Sequence, residues 1–551
     1  MDNRRLILLV IFSMSLVMLW DAWLKHNQPK TPAAVAAAAT QGATPVPSAP
    51  GVVAAPPVSG TEAVARAERQ KAPKLLIETD LIRAEVSALG GDLVRLELLK
   101  HGANDDPKKP FVLFEEGGAH TYLAQSGLIG AGLPNHKTVF ALPTTGKLVL
   151  KDGEQSLVVR LEAPEQNGIK VAKVLTFHRG TYVVDVGYEI NNASTGAVTG
   201  HAYYQLTRDT KSAETTAGFF GGAQTYTGPA FYTEAEKYKK IDFSSIEKNE
   251  AKLPKPAADG WVAMVQHYFV SAYVPAAGQR EFYARPLDGG LVSAGVIQPF
   301  AALAAGAKAT VSVPLYVGPQ EQNKLSALAP GLDLVVDYGW LTVIAAPIFW
   351  CLAWLHKLVG NWGWAIIALT VLIKLAFFPL SAASYKSMAK MKTIMPRMKR
   401  IQEQYKDDRM KMNQEMMELY KKEKVNPMGG CWPILIQMPV FIALYWVLLG
   451  AVEMRQAPWL GWITDLSIKD PYFVLPIIMG VTSLIQMKLQ PAPADPVQAK
   501  VMMFMPVFFT VMMAWFPAGL VLYWVVNNVL SIGQQWYIIR MIEGGGKAAN
   551  S

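Results

Sequence analysis

Hydrophobic and polar positions change rhythm three times along the chain. Residues 6–19 form a largely apolar run, interrupted only by Ser13 and Ser15, behind Arg4 and Arg5. From about 72 to 325 apolar positions recur with a period near two, in short runs separated by turn signals. Beyond 326 come long apolar stretches, each of a length suited to a membrane helix.

The first run reads as an uncleaved anchor over 1–25. Trp20, Trp23 and Lys25 suit an interface, and small residues are missing where a signal peptidase would need them. Residues 26–71 are rich in Ala, Pro and Gly, without a sustained period, and predict a flexible tether. Candidate strands follow at 76–79, 82–86, 93–98, 156–161, 171–177, 182–190, 202–206, 263–273, 281–284, 291–297 and 310–316. Gly90-Gly91, Asp152-Gly153, Asn167-Gly168 and Arg179-Gly180 punctuate them. The segment 72–325 therefore predicts a large antiparallel β-sandwich. The stretch 208–260, with Phe219-Phe220 and Phe231-Tyr232, gives no clear strand boundaries.

The apolar stretches predict spans at 362–383, 432–450, 472–488, 501–516 and 519–538, the last two separated by Pro517-Ala518-Gly519. With the anchor the total is six, and 539–551 is a tail. Residues 326–361 are a linker and one apolar helix. That helix could span the membrane or lie on its surface, and parity chooses the surface. Positions 385–424 carry 12 Lys and Arg, which marks that loop as cytoplasmic. An odd number of spans must then separate it from the sandwich.

The basic loop, 384–425, has apolar positions at helical spacing on both sides of Lys406-Asp407-Asp408-Arg409. It predicts a helical hairpin. Met388, Met391, Met395, Met398, Met412 and Met416 form its stripe. Such a stripe can be hairpin core, or an adaptable surface for apolar client segments.

Composition adds two exclusions. The net charge of +9 is spread beside the apolar runs, and no nucleic-acid module is present. The two cysteines, Cys351 and Cys431, lie outside the sandwich, so no disulfide framework is expected. His101, His120, His136, His178, His201 and His267 are scattered without ligand spacing. No nucleophile or phosphate-loop motif occurs, and neither an enzyme nor a metal or other cofactor is expected.

The chemistry that stands out is Lys374, inside the run from Trp362 to Leu380. Eleven residues past Gly363, it lies about 16 Å down a helix. A cation at that depth costs several kcal/mol unless it reaches water, a partner or the interface. It either lines a polar cavity or snorkels to the inner surface. Thr370 sits one turn away, and Gln437, Gln486, Thr510, Asn527, Asn528, Gln534 and Gln535 add polarity to the other spans. A proton relay would want carboxylates here, and a carrier would want an inverted repeat; neither is visible. A transporter, and an anchored periplasmic sugar- or peptide-binding protein, are the alternatives weighed.

The run Asn426-Pro427-x-Gly429-Gly430-Cys431-x-Pro433-x-Leu435-Ile436-Gln437-x-Pro439 closely resembles the YidC membrane protein insertases of Gram-negative inner membranes, relatives of the mitochondrial Oxa family. Tyr385-x-x-Met388-Ala389-Lys390-Met391, Arg455-Gln456-Ala457-Pro458 and Trp515-Phe516-Pro517-x-Gly519-Leu520-Val521-Leu522-Tyr523 carry the same resemblance. The resemblance implies a core of five spans around a hydrophilic groove open to the cytoplasm. The central cation is typically arginine, at the position of Lys374. Thr370, Tyr523 and Trp524 match positions that line the groove, and Gln437, Thr510 and Asn528 are expected there too. The implied partners are nascent membrane proteins, the translating ribosome, the Sec translocon with its accessory subunits, the signal recognition particle and its receptor, and lipid. The sandwich is implied to be a periplasmic docking platform resembling carbohydrate-processing domains, without chemistry of its own.

Overall fold

A computed structural model describes residues 71–548 except 105, 118–119, 145, 211–224, 407, 424–431 and 491–495. The predicted anchor, all but the last residue of the tether, Phe219-Phe220, Asn426 to Cys431 and the Pro491–Asp495 loop lie outside the described residues. A β unit ends at Val336, and a helical unit begins at Asp337.

The β unit holds two sheets. The nine-stranded one runs Glu281–Leu287, Leu291–Leu303, Val198–Asp209, Tyr122–Ile129, Leu93–Gly102, Ile82–Ser87, Lys74–Glu78, Lys147–Val149, with Pro110–Phe114 added on Leu93–Gly102. The eight-stranded one runs Lys237–Lys240, Gly228–Thr233, Trp261–Gln266, Phe269–Tyr273, Lys308–Pro319, Val183–Asn192, Ile169–His178, Ser156–Glu162. Two short helices, α1 (Phe243–Glu247) and α2 (Gln322–Leu328), complete the unit. Side chains meet between the sheets: Ser126 and the Tyr188 hydroxyl at 2.8 Å, and the Tyr204 and Tyr273 rings at 5.4 Å. The Asn167-Gly168 signal becomes a two-residue turn with φ of 54° and 76°, the geometry that Asn-Gly adopts at least cost.

The predicted sandwich needs three corrections. Lys74–Glu78 and Lys147–Val149 pair in parallel, so the sheets are not wholly antiparallel. The three-residue strand covers an edge that would otherwise present unpaired backbone groups. Residues 263–273 are two strands, not one. The chain reverses at His267-Tyr268 with Tyr268 at φ 68°, and no Gly, Pro, Asn or Asp marks the turn. Tyr122–Ile129 was not legible as a strand. It is buried on both faces, so its sequence does not alternate.

The helical unit comprises α3 (Thr342–Val359), α4 (Trp362–Ala376), α5 (Phe378–Gln404), α6 (Arg409–Lys422), α7 (Trp432–Gly450), α8 (Val474–Leu489), α9 (Pro496–Met513) and α10 (Ala518–Ala548). Among the described residues α3 alone is long and apolar enough by itself to cross a membrane. The pair α4 and α5, bent by 66°, passes that test together, and α8 and the apolar parts of α7 and α9 are shorter. α3 buries Ala345, Phe349, Leu352 and Leu355 on one face and exposes Val343, Trp350, Trp354 and Leu358 on the other.

The stretch 362–383 is thus not one straight helix. Pro379 enters the first turn of α5, where its missing N–H costs nothing, while in one continuous helix its ring would crowd the Leu375 carbonyl, so α4 ends at Ala376. Asn361 caps α4 by accepting from the backbone N–H groups of Gly363 and Trp364 at 3.0 and 3.2 Å. Asp470 accepts from the N–H groups of Tyr472 and Leu475 and from the Trp462 indole, fixing the loop before α8. α10 packs on α4, α5, α7 and α8 and runs ten residues past the predicted end of its span.

Gly363 lies directly under the Trp459 indole, and a Cβ there would overlap the ring. Gly363→Ala is expected to destabilise the helical unit by about 1–3 kcal/mol through overpacking. A lowered midpoint of thermal aggregation in detergent checks this, and an unchanged midpoint contradicts it.

Candidate functional site

Lys374 falls in the last turn of α4, just before the bend. Its side chain is buried, with the residue 7% exposed, and Nζ donates to Ser531 Oγ on α10 at 2.7 Å. Among the described residues this hydroxyl is its one hydrogen-bond partner, and no carboxylate faces it. Ser531 Oγ donates in turn to the Asn527 carbonyl one turn back, at 2.7 Å. The Tyr385 side chain, on α5 beyond the bend, lies close to the same Ser531. From α7, Gln437 Nε2 donates to Asn527 Oδ1 at 2.7 Å and, weakly, to the Tyr523 hydroxyl at 3.4 Å.

Tyr523, Asn527 and Ser531 recur every fourth residue, so one stripe of α10 carries them all. Gln437 and Lys374 reach that stripe from α7 and α4. The result is a polar seam between helices that are otherwise apolar. Thr370 is on the Lys374 face, buried, its hydroxyl donating to the Ile366 carbonyl at 2.7 Å. Trp524 meets Phe441 edge-to-face at 4.8 Å and stacks on Phe509 at 6.2 Å.

Two expected groove residues stand elsewhere. Asn528 Nδ2 donates to Ser483 Oγ at 2.8 Å and Thr482 Oγ1 at 3.2 Å, tying α10 to α8. Thr510 donates to the Pro506 carbonyl at 2.7 Å and sits against Gly480. Ser531 was missed in the sequence. A lone serine in an apolar helix attracts no notice, but its place at i+8 from Tyr523 was a usable signal.

The hairpin is an antiparallel pair of α5 and α6. Ile394 and Met398 are its buried centre, with Met391, Met395, Met416, Leu419 and Tyr420 packed around them. Four of the six stripe methionines therefore pack within the hairpin, the first of the two expected readings. Met388 and Met412 are half-buried. The exposed thioethers of α6 are Met410 and Met417, 85% and 54% exposed. Asp408 caps α6 through Lys411 N at 3.0 Å, and Arg397 pairs with Glu423 at 2.5 Å.

The β unit has several buried polar clusters. Lys173 Nζ bonds the Gly90 carbonyl at 2.9 Å and approaches Asp92 Oδ1 at 3.4 Å. Asp92 continues through Gln125 to Gln205 and Thr207. Burial pushes the Lys173 ammonium below its ordinary value, and Asp92 opposes that shift. His178 and Asp185 pair at 2.7 Å. Among the described residues no three His, Cys, Asp or Glu side chains converge as metal ligands.

A bundle of apolar helices with an internal polar seam, beside a two-sheet domain, defines a polytopic membrane protein with a large extramembrane β domain. Residues 74–351 match the family described as YidC periplasmic domain, and 354–545 match the 60Kd inner membrane protein family. A membrane protein insertase YidC of Aromatoleum aromaticum is 64% identical over 548 residues, 98% of each chain. One from Dechloromonas aromatica is 59% identical over 552 residues, 100% of this chain and 99% of its own. A crystal structure titled as an active YidC insertase with its first transmembrane domain resolved covers 86% of this chain and 97% of its own, at 17% identity and a TM-score of 0.39. The chain belongs to the YidC family of membrane protein insertases. It is a multi-pass inner-membrane protein with a periplasmic domain.

Proposed function

We propose that this insertase passes the polar flank of a nascent segment along the seam around Lys374 while the apolar part moves sideways into lipid. It is a non-enzymatic insertase and chaperone, needing no cofactor. The observation that carries the route is a buried ammonium held by a hydroxyl, on a short helix that ends at a bend. Its N–H groups not given to Ser531 remain donors for a carboxylate on an entering chain.

Six spans carry the route, with both termini cytoplasmic, the β unit periplasmic and α3 lying in the outer interface with Trp350 and Trp354 toward lipid. α4 and α8 rise only about 22 and 24 Å, less than a hydrocarbon core of about 30 Å. Short spans go with local thinning, which lowers the cost of a polar crossing. The apolar segment then gains about 25 cal/mol per Å² of surface removed from water. Nascent chains arrive from the ribosome, alone or with the Sec translocon. The signal recognition particle and its receptor assist delivery, and the hairpin receives the client through its exposed α6 face.

Photo-crosslinkers at 370, 374 and 524 in the full chain test the route against arrested nascent chains. Adducts at all three, reduced at least about threefold when the hairpin is deleted, are the expected result. Adducts from none of the three positions would remove the seam as a path.

A further inference from the structure

A serine hydroxyl has one proton and two lone pairs. Ser531 spends its proton on the Asn527 carbonyl of its own helix, so both lone pairs face outward. Lys374 takes one at 2.7 Å, from α4. The Tyr385 side chain comes close to the same serine from α5. Side chains from both sides of the 66° bend therefore gather at one serine. The Asn527 side chain is meanwhile engaged by Gln437, so the turn that orients Ser531 is itself braced from α7.

We propose that Ser531 is a positioning residue for Lys374: it parks the ammonium at the bend, facing the seam, until a client carboxylate replaces it. A neutral hydroxyl suits that task. It satisfies the cation enough to keep it in place, and a carboxylate, forming a charge-assisted bond, displaces it. A resident Asp or Glu would bind the ammonium too strongly to be exchanged. The functional part of this inference rests on the groove reading above; the placement of the ammonium does not.

The two are separable in one experiment. The full chain in lipid nanodiscs is acetylated with a small membrane-permeant succinimidyl ester, and the modification of Lys374 is read by mass spectrometry relative to exposed Lys386. Ser531→Ala is expected to raise that ratio at least about threefold, as a charge-assisted contact is lost, and Ser531→Thr to keep the parent ratio. A ratio unchanged in Ser531→Ala overturns the assignment, as does Ser531→Thr behaving like alanine. Insertion of acidic-tailed against neutral-tailed clients is measured on the same samples. A raised acetylation ratio with no change in client preference would keep Ser531 as the holder of the ammonium and remove the groove reading instead.

Discussion

Lys374→Ala is expected to cut the insertion of acidic-tailed clients at least about tenfold in proteoliposomes, and that of neutral-tailed clients by less than about twofold. The arithmetic is that of one charge-assisted hydrogen bond, about 1.5–3 kcal/mol, where 1.4 kcal/mol is tenfold. The change should cost little stability. A buried ammonium carries a desolvation cost, and alanine removes both the cost and the Ser531 contact. Lys374→Arg should retain the acidic-tail preference, because the guanidinium keeps the charge and offers more donors in a fixed fork. Lys374→Glu should reverse the preference. An equal loss for both client types in Lys374→Ala, with thermal stability intact, would contradict charge recognition and leave the cation a structural role.

What the sequence disclosed follows from what water and lipid impose. α7 has the ends expected from the apolar run, 432–450, because that run is bounded by Gly and Pro signals on the Asn426 side and by Gly450. α8 and α9 drift by a few residues at their ends, where capping by Asp470 and breaks at Pro residues set the limits. The bend at Phe377 was hidden inside an apolar stretch, although Pro379 announces it. Alternation located the half-exposed strands but not Tyr122–Ile129, whose two buried faces erase the period. The methionine stripe was correctly periodic, but periodicity does not say what covers a face; in α5 it is largely the hairpin itself. Lys374 was conspicuous because a cation in an apolar run violates a strong rule. Ser531 and Tyr385 violate none, so only the fold could bring them to it.

Lys173→Met is the change expected to damage the β unit most. Lys173 is 1% exposed, on the strand next to the sheet edge, and its ammonium reaches the Gly90 carbonyl and Asp92 in the other sheet's turn between Ile82–Ser87 and Leu93–Gly102. Methionine fits the volume but strips a buried carboxylate of its cation. Breaking one side of such a pair costs about 3–5 kcal/mol, far more than the pair itself contributes. Asp92 also anchors the Gln125 amide, which accepts from Gln205 and Thr207, so the loss spreads along the polar line. The reading is pulse proteolysis of the full chain in increasing urea, following the β unit. Lys173→Met should shift its midpoint down strongly. Lys173→Met with Asp92→Asn should recover much of the loss, because the amide keeps hydrogen bonding without an uncompensated charge. A single variant within about 1 kcal/mol of the parent would mean that the buried carboxylate does not depend on Lys173, and would move the support of this corner to the Gln125 network alone.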